Sequence, residues 1–426
     1  MMPLLVNILF FLLGAILGAA ANFLIYHERM EPRPISPWMR RNQSCGTDCQ
    51  SARKTRQVGN LPHVSIRRWF DYVPIIGWLG LRREASIFGT GFWVRPFLVE
   101  LLMGIGVAAL YQYEMQGGLL PAGFPPPTAI IPHQFAAHVV LIFFMLVASL
   151  IDVDETIIPD SITISGTLIG LAIAAILPQS LLPDVFPNAA GVLQMEFLRL
   201  TSPNDWVPSL DSYAGLSIGL ACWLLWCFAL LPRTWYSRHG WRRALQLCVA
   251  SVCRERFSLL IFGLAILGTA TITFAWHHGG NHWIGLLTAM VGMAAGGGVV
   301  WAVRILGSAA LKKEAMGFGD VTLLAMIGAF LGWQAILIVF FIAPFATIVI
   351  GLFRLIFQRQ NEIPYGPFLC LATLATVLYW APIWERTWLT FSLGWILPLV
   401  LAGCFALMPP MLYGVRRVLS HFGRGG

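Results

Sequence analysis

Apolar residues run along this chain in blocks of about 20, the length that carries a helix through a bilayer, and polar residues collect between the blocks. The pattern predicts spans at residues 4–26 and 97–111, a third ending near 151, and further spans at 161–182 and 213–231. A sixth leads out to 277 and a seventh occupies 283–311. From residue 318 the apolar run reaches 357, too long for one crossing. Gly332 and Trp333 offer a turn that divides it into a short eighth helix and a full ninth. Blocks at 368–380 and 390–413 bring the expected total to about eleven spans, with eight as the lower end of the range. The first block ends in Ala19, Ala20 and Ala21, as a cleaved signal would. It lacks a basic start and its apolar run is too long for a signal, so it reads as a retained span.

Charge sets the expected topology. Of 426 residues 57% are hydrophobic and 11% charged, against about 25% charged in a soluble domain. The net charge of +8 does not indicate nucleic acid, because the basic residues sit in particular loops, as membrane topology requires. Twelve Lys and Arg fall in residues 27–95, none between Arg95 and Arg199, and six Arg in 233–256. With Lys312, Lys313, Arg416, Arg417 and Arg424 also placed inside, the N-terminus lies outside.

The fold class is therefore all-α, a polytopic membrane protein in the lipid bilayer. Its expected parts are a first helix (1–26), a basic cytoplasmic loop (27–95) and a helical unit at 96–182. An inserted external segment with an extra helix pair (183–282), a second helical unit (283–381) and an extra C-terminal helix with a basic tail (382–426) follow. His277, His278 and His282 read as a polar external turn.

Four aspartates, Asp152, Asp154, Asp160 and Asp320, fall on one side of the membrane at helix ends, in a topology assigned from Lys and Arg alone. Ionisable residues at a membrane edge are functional candidates by default. Two carboxylates brought close share a proton, so one acts as base toward a water and the other as acid toward a carbonyl. Asp320 closes the stretch GFGD at 317–320. Gly317 and Gly319 are expected to allow positive φ and close backbone approach. The competing reading of Asp160 and Asp320 is a helix cap, stabilised by the helix dipole.

Several stretches together resemble one family. IDVDETIIPD at 151–160 and MGFGDV at 316–321 look like the type IV prepilin peptidases, membrane aspartic proteases of the GxGD type. NFLIY at 22–26, DYVPIIGWL at 71–79, Arg95 with LVELL at 98–102, and IPYGPFL at 363–369 are similar to further stretches of that family, in the same order. The resemblance implies removal of a short basic leader from prepilin or pseudopilin precursors at the cytoplasmic face of a bacterial inner membrane. It implies Asp152 and Asp320 as the catalytic pair, with Asp154, Asp160, Gly317, Gly319 and Glu100 supporting. Glu100 would bind the substrate's N-terminal region or brace the site. Many members also methylate the new N-terminus with S-adenosylmethionine; proteolysis itself needs no cofactor.

The sequence also departs from that family. Its cytoplasmic loop often carries two CxxC pairs, which suit a zinc site; here Cys45 and Cys49 form a CxxxC with no second pair before Arg95. No metal site is expected, and reduced thiols are the reading; Cys248 and Cys253, in the other basic loop, would have to complete any zinc tetrad. Thr322 stands where many members have lysine. Two alternatives compete. A presenilin-like or signal-peptide-peptidase-like protease also uses GxGD, but no Pro-Ala-Leu motif follows Asp320. A transporter would place carboxylates near span centres and show inverted repeats.

Overall fold

The computed structural model describes residues 2–30, 35–38, 67–187, 193–231, 256–311, 316–357, 364–394 and 396–422. Residues 39–66 and 232–255 of the basic loops, with all four zinc candidates Cys45, Cys49, Cys248 and Cys253, and the pair Lys312 and Lys313 lie outside the described residues.

The apolar blocks fold as helices. In chain order they are α1 (Met2–His27), α2 (Val94–Met115), α3 (Ile131–Glu155), α4 (Asp160–Ile176), α5 (Tyr213–Leu230), α6 (Arg256–His278) and α7 (Gly280–Leu311). Then come α8 (Phe318–Phe357), α9 (Gly366–Leu378), α10 (Trp380–Phe391) and α11 (Ile396–Phe422). A short helix, Ile76–Leu81, precedes α2. Large apolar side chains such as Leu5, Leu260, Ile266 and Phe345 stay exposed. In water such helices would bury these faces; a polytopic membrane protein turns them to lipid.

Seven of the described helices are long and apolar enough to cross a membrane, or eight if the bent pair of α9 and α10 counts as one span. Eleven spans were expected. The difference lies in α4, which has only 17 residues, in α8, which passes as a single apolar span, and in α10 and α11. Within α8 the chain does break where expected: Gly332 takes φ 81° and ψ 171°, far from helical values.

The expected all-α class meets one exception. Strands β1 (Pro183–Pro187) and β2 (Leu193–Phe197) pair antiparallel, with Val185 opposite Met195. The alternation of Leu193, Gln194, Met195, Glu196 and Phe197 is a period-2 pattern that suits a strand, and it lies in the segment expected to be an external insertion. The loop after β2 packs on the break in α8. Trp333 Nε1 donates to the Leu200 carbonyl at 2.8 Å, and Gln334 Nε2 to the Arg199 carbonyl at 2.8 Å.

The first half of α8 is the centre of the molecule, with Leu323, Leu324, Met326, Ile327 and Leu331 wholly buried. Helix α7 reaches it through glycines. A Cβ on Gly292 would lie 2.2 Å from the Gly328 carbonyl oxygen, and one on Gly296 would lie 2.3 Å from that of Leu324. Without side chains the two backbones touch, as small-residue seams permit in membranes. A similar seam joins α1 to α2, where a Cβ on Gly18 would lie 2.6 Å from Glu100 Cα. Near their other ends, α2 and α3 are joined by a buried pair absent from the sequence reading, His138 Nδ1 and Glu114 Oε1 at 2.8 Å.

Candidate active site

Helix α3 brings Asp152 into its last turn. Thr156 ends the helix in the left-handed region, φ 54°, and returns its N–H to the Asp152 carbonyl at 2.8 Å. The chain then runs through buried Ile158 to Pro159, and Asp160 opens α4. Helix α8 starts at Phe318 and carries Asp320 in its first turn. Both carboxylates are almost excluded from water, with Asp152 5% and Asp320 7% exposed. They lie close enough for the charge of Asp152 to act on Asp320, and both act on the buried thiol of Cys370.

A third segment completes the site. Gly366, first residue of α9, donates its N–H to Asp152 Oδ2 at 3.0 Å. The carboxylate thus sits at a helix N-terminus, where unpaired amides and the helix dipole favour an anion. A Cβ on Gly366 would come within 2.6 Å of that same oxygen and 3.0 Å of Ile158 Cδ1. Just before it, the Tyr365 hydroxyl is pushed up to about 12, first by burial and then by the Asp320 charge.

Ile158 is the common neighbour. A Cβ on Gly319 would lie 2.8 Å from Ile158 Cβ, so only glycine lets α8 come this close to the loop between α3 and α4. The expected close approach is therefore present at Gly319. The expected positive φ is not, since neither Gly317 nor Gly319 adopts one. At Gly317 a Cβ would make only an ordinary contact, 3.5 Å from Asp320 Oδ2. The Gly317 amide instead hydrogen-bonds the Asp320 carboxylate. This is the reach-back of a residue in the first helical turn to the N-cap amide, so Asp320 also caps its own helix.

The other carboxylates occupy different places. Asp154 is two residues from Asp152, about 200° around the helix. It forms ion pairs with Arg29 and with Arg95, whose Nη1 lies 2.7 Å from both carboxylate oxygens. It therefore fastens α3 to Arg29, just past the end of α1, and to the start of α2. Asp160 is exposed in the first turn of α4, where its charge suits the helix dipole. Glu100 is buried and accepts from Asn22 Nδ2 at 3.1 Å, Trp78 Nε1 at 2.7 Å and the Ile75 amide. It braces three of the stretches that carried the resemblance, 22–26, 71–79 and 98–102. Thr322 donates its hydroxyl to the Gly319 carbonyl at 3.1 Å. His282 Nδ1 lies 2.7 Å from the Ala175 carbonyl oxygen. Among the described residues no group of three or more His, Cys, Asp or Glu is placed to hold a metal ion.

Gly366, Ile158, Tyr365 and Cys370 were not singled out as site residues from sequence. Three of them carried a signal in the motifs, Tyr365 and Gly366 in IPYGPFL and Ile158 in the IIPD stretch; Cys370, one residue past IPYGPFL, carried none.

Residues 256–352, which include Asp320 but not Asp152, match the model of the type IV leader peptidase family. That part of the chain resembles the family. Type IV leader peptidases similar to it include a prepilin leader peptidase/N-methyltransferase of Aeromonas hydrophila, 34% identical over 110 residues, 25% of this chain and 38% of that protein. One of Burkholderia pseudomallei (strain 1026b) is 34% identical over 102 residues, 23% of this chain and 33% of that protein. One of Pseudomonas aeruginosa is 31% identical over 124 residues, 26% and 42%. The matches thus span between about a third and two fifths of these relatives' lengths. No solved structure matches.

Proposed function

We propose that this chain is a membrane aspartic endopeptidase that removes the leader from prepilin or pseudopilin precursors, with Asp152 and Asp320 as its catalytic pair. The observation that carries the reading is the meeting of two buried carboxylates from separate helices, at helix ends, in a chain whose residues 256–352 match the leader peptidase family. Burial disfavours two adjacent negative charges, so the pair holds one proton. The ionised member takes a proton from a water between them while that water attacks the scissile carbonyl. The protonated member gives its proton to the carbonyl oxygen, and collapse of the tetrahedral adduct returns a proton to the leaving amine. Gly366 N–H and the start of α9 orient Asp152 through this exchange.

The end-of-helix placement of both acids disfavours a transporter, which would hold them near mid-span. The basic loops support a site at the cytoplasmic face of a bacterial inner membrane. Methylation of the new N-terminus is a separate proposal, drawn from the names of the relatives. Beside Phe318, Val321 and Thr322 lies a cavity of about 70 Å³, walled mostly by apolar side chains. It does not fit S-adenosylmethionine, so we derive no step through that cofactor.

The test is leader removal from a pilin-like precursor by the full-length protein in detergent or nanodiscs. Asp152→Asn and Asp320→Asn should each abolish cleavage while keeping the thermal transition of the parent. Full processing by either variant would overturn the assignment.

A further inference from the structure

At the end of the bundle remote from Asp152 and Asp320, β1, α10 and the loop after α2 enclose a cavity of about 260 Å³. Helix α9, 13 residues long, separates it from Gly366 by roughly 20 Å at 1.5 Å per residue. Its lining includes Trp380, Trp384, Trp388 and Phe186, two acids, Asp184 and Glu385, and no Lys, Arg or His.

Asp184 is only 2% exposed. Trp384 Nε1 donates to its Oδ1 at 3.0 Å, and among the described residues it makes no ion pair. Among the described residues the Trp384 indole is the one side-chain donor to this carboxylate, and a carboxylate so nearly removed from water is costly unless a cation joins it. The wall beside it is rigid. Trp380 stacks on Trp384 with ring centroids 5.1 Å apart, and Trp380 Nε1 donates to the Pro183 carbonyl at 2.7 Å. An interfacial tryptophan belt accounts for the half-exposed Trp388. It does not account for buried Trp380 and Trp384, or for the nearly buried acid that lines the cavity beside them.

The rim points to the source of the cation. Helix α10 is bent 92° from α9, and Trp388, Leu389 and Leu393 leave an apolar outer face beside the cavity. An ammonium group on an amphiphile would place its charge against the acids and its chains along that face. Aromatic side chains also attract ammonium groups over their faces. We propose that this cavity binds an ammonium group, the headgroup amine of a membrane lipid, between Asp184, Glu385 and the tryptophan wall.

The experiment uses the full-length protein in a neutral maltoside detergent and reads binding by intrinsic fluorescence and calorimetry. The probes are dihexanoyl phosphatidylethanolamine, dihexanoyl phosphatidylglycerol and tetramethylammonium chloride. The ethanolamine lipid should bind saturably and the glycerol lipid should not. Glu385→Gln and Trp388→Ala, both at exposed positions, should each weaken binding about tenfold while leader removal continues at the parent rate. Asp184→Asn should abolish binding; if it does not fold, the two exposed variants decide. Tetramethylammonium binding as tightly as the lipid would keep the ammonium site and reject the lipid as its source. Equal binding of the two lipids, no saturable binding, or unchanged binding in both exposed variants would overturn the proposal. Because binding is read apart from cleavage, the result stands whatever the outcome for Asp152 and Asp320.

Discussion

Gly366→Ala adds one methyl group at the start of α9, where its carbon would sit 2.6 Å from Asp152 Oδ2 and 3.0 Å from Ile158 Cδ1. The backbone tolerates alanine, since Gly366 does not take positive φ, and alanine there would otherwise stabilise slightly by restricting the unfolded chain. The whole penalty therefore comes from the contact. Restoring about 3.4 Å requires the carboxylate to retreat by about 0.8 Å, which breaks the 3.0 Å bond from the Gly366 amide. Losing a hydrogen bond to a charged group removes about 1.5–3 kcal/mol of support for that position. A misplacement near 1 Å costs about 100-fold in rate. We expect kcat for leader removal to fall about 100-fold with KM little changed, and stability to fall by about 1–3 kcal/mol, as for overpacking elsewhere. The assay is single-turnover cleavage of a purified precursor, with a thermal melt on the same sample. A variant that folds and cleaves within threefold of the parent rate refutes the role assigned to Gly366.

Gly319→Ala should lower cleavage at least tenfold, because its Cβ would press on Ile158 at 2.8 Å, whereas Gly317→Ala, with only a 3.5 Å contact, should stay within about threefold of the parent. Equal losses in the two variants would show that the GxGD glycines act through something other than this packing. Asp154→Asn should keep cleavage and lose about 1–3 kcal/mol of stability with the partly shielded pairs to Arg29 and Arg95; loss of cleavage at full stability would move Asp154 into the reaction. Glu100→Ala leaves buried Trp78 without its acceptor and Asn22 with the Pro96 carbonyl but not the carboxylate. It should cost about 2–5 kcal/mol in a thermal or denaturant melt, and a loss confined to KM would favour a substrate-binding role instead.

The sequence made the two principal acids legible because helix ends and basic loops constrain membrane depth before any contact is known. That logic put Asp152, Asp154, Asp160 and Asp320 on one side of the membrane, the resemblance picked Asp152 and Asp320 from among them, and the break at Gly332 was visible as a glycine inside an overlong apolar run. Gly366 was not legible as a site residue, because its role is a backbone amide meeting a carboxylate 214 positions away. By membrane depth alone Asp154 matched Asp152, and the resemblance gave it only a supporting role; a two-residue offset on a helix turns it toward Arg29 and Arg95. The β-hairpin was readable in the alternation at 193–197 but lay in a segment expected to be only an external insertion. The span count came out high because apolar length alone does not separate a crossing helix from a short or bent one such as α4 or α10.

Ile158 has no polar atom on its side chain, yet it lies between Gly319, next to Asp320, and Gly366, which holds Asp152. The spacing of the two acids is thus set by a hydrocarbon wedge. Hydrogen bonds lengthen, shorten or reverse as protons move; the size of an isoleucine does not. In the proposed reaction the proton can change owner twice while the helices that carry the acids keep their separation, so the site need not be rebuilt between one cleavage and the next.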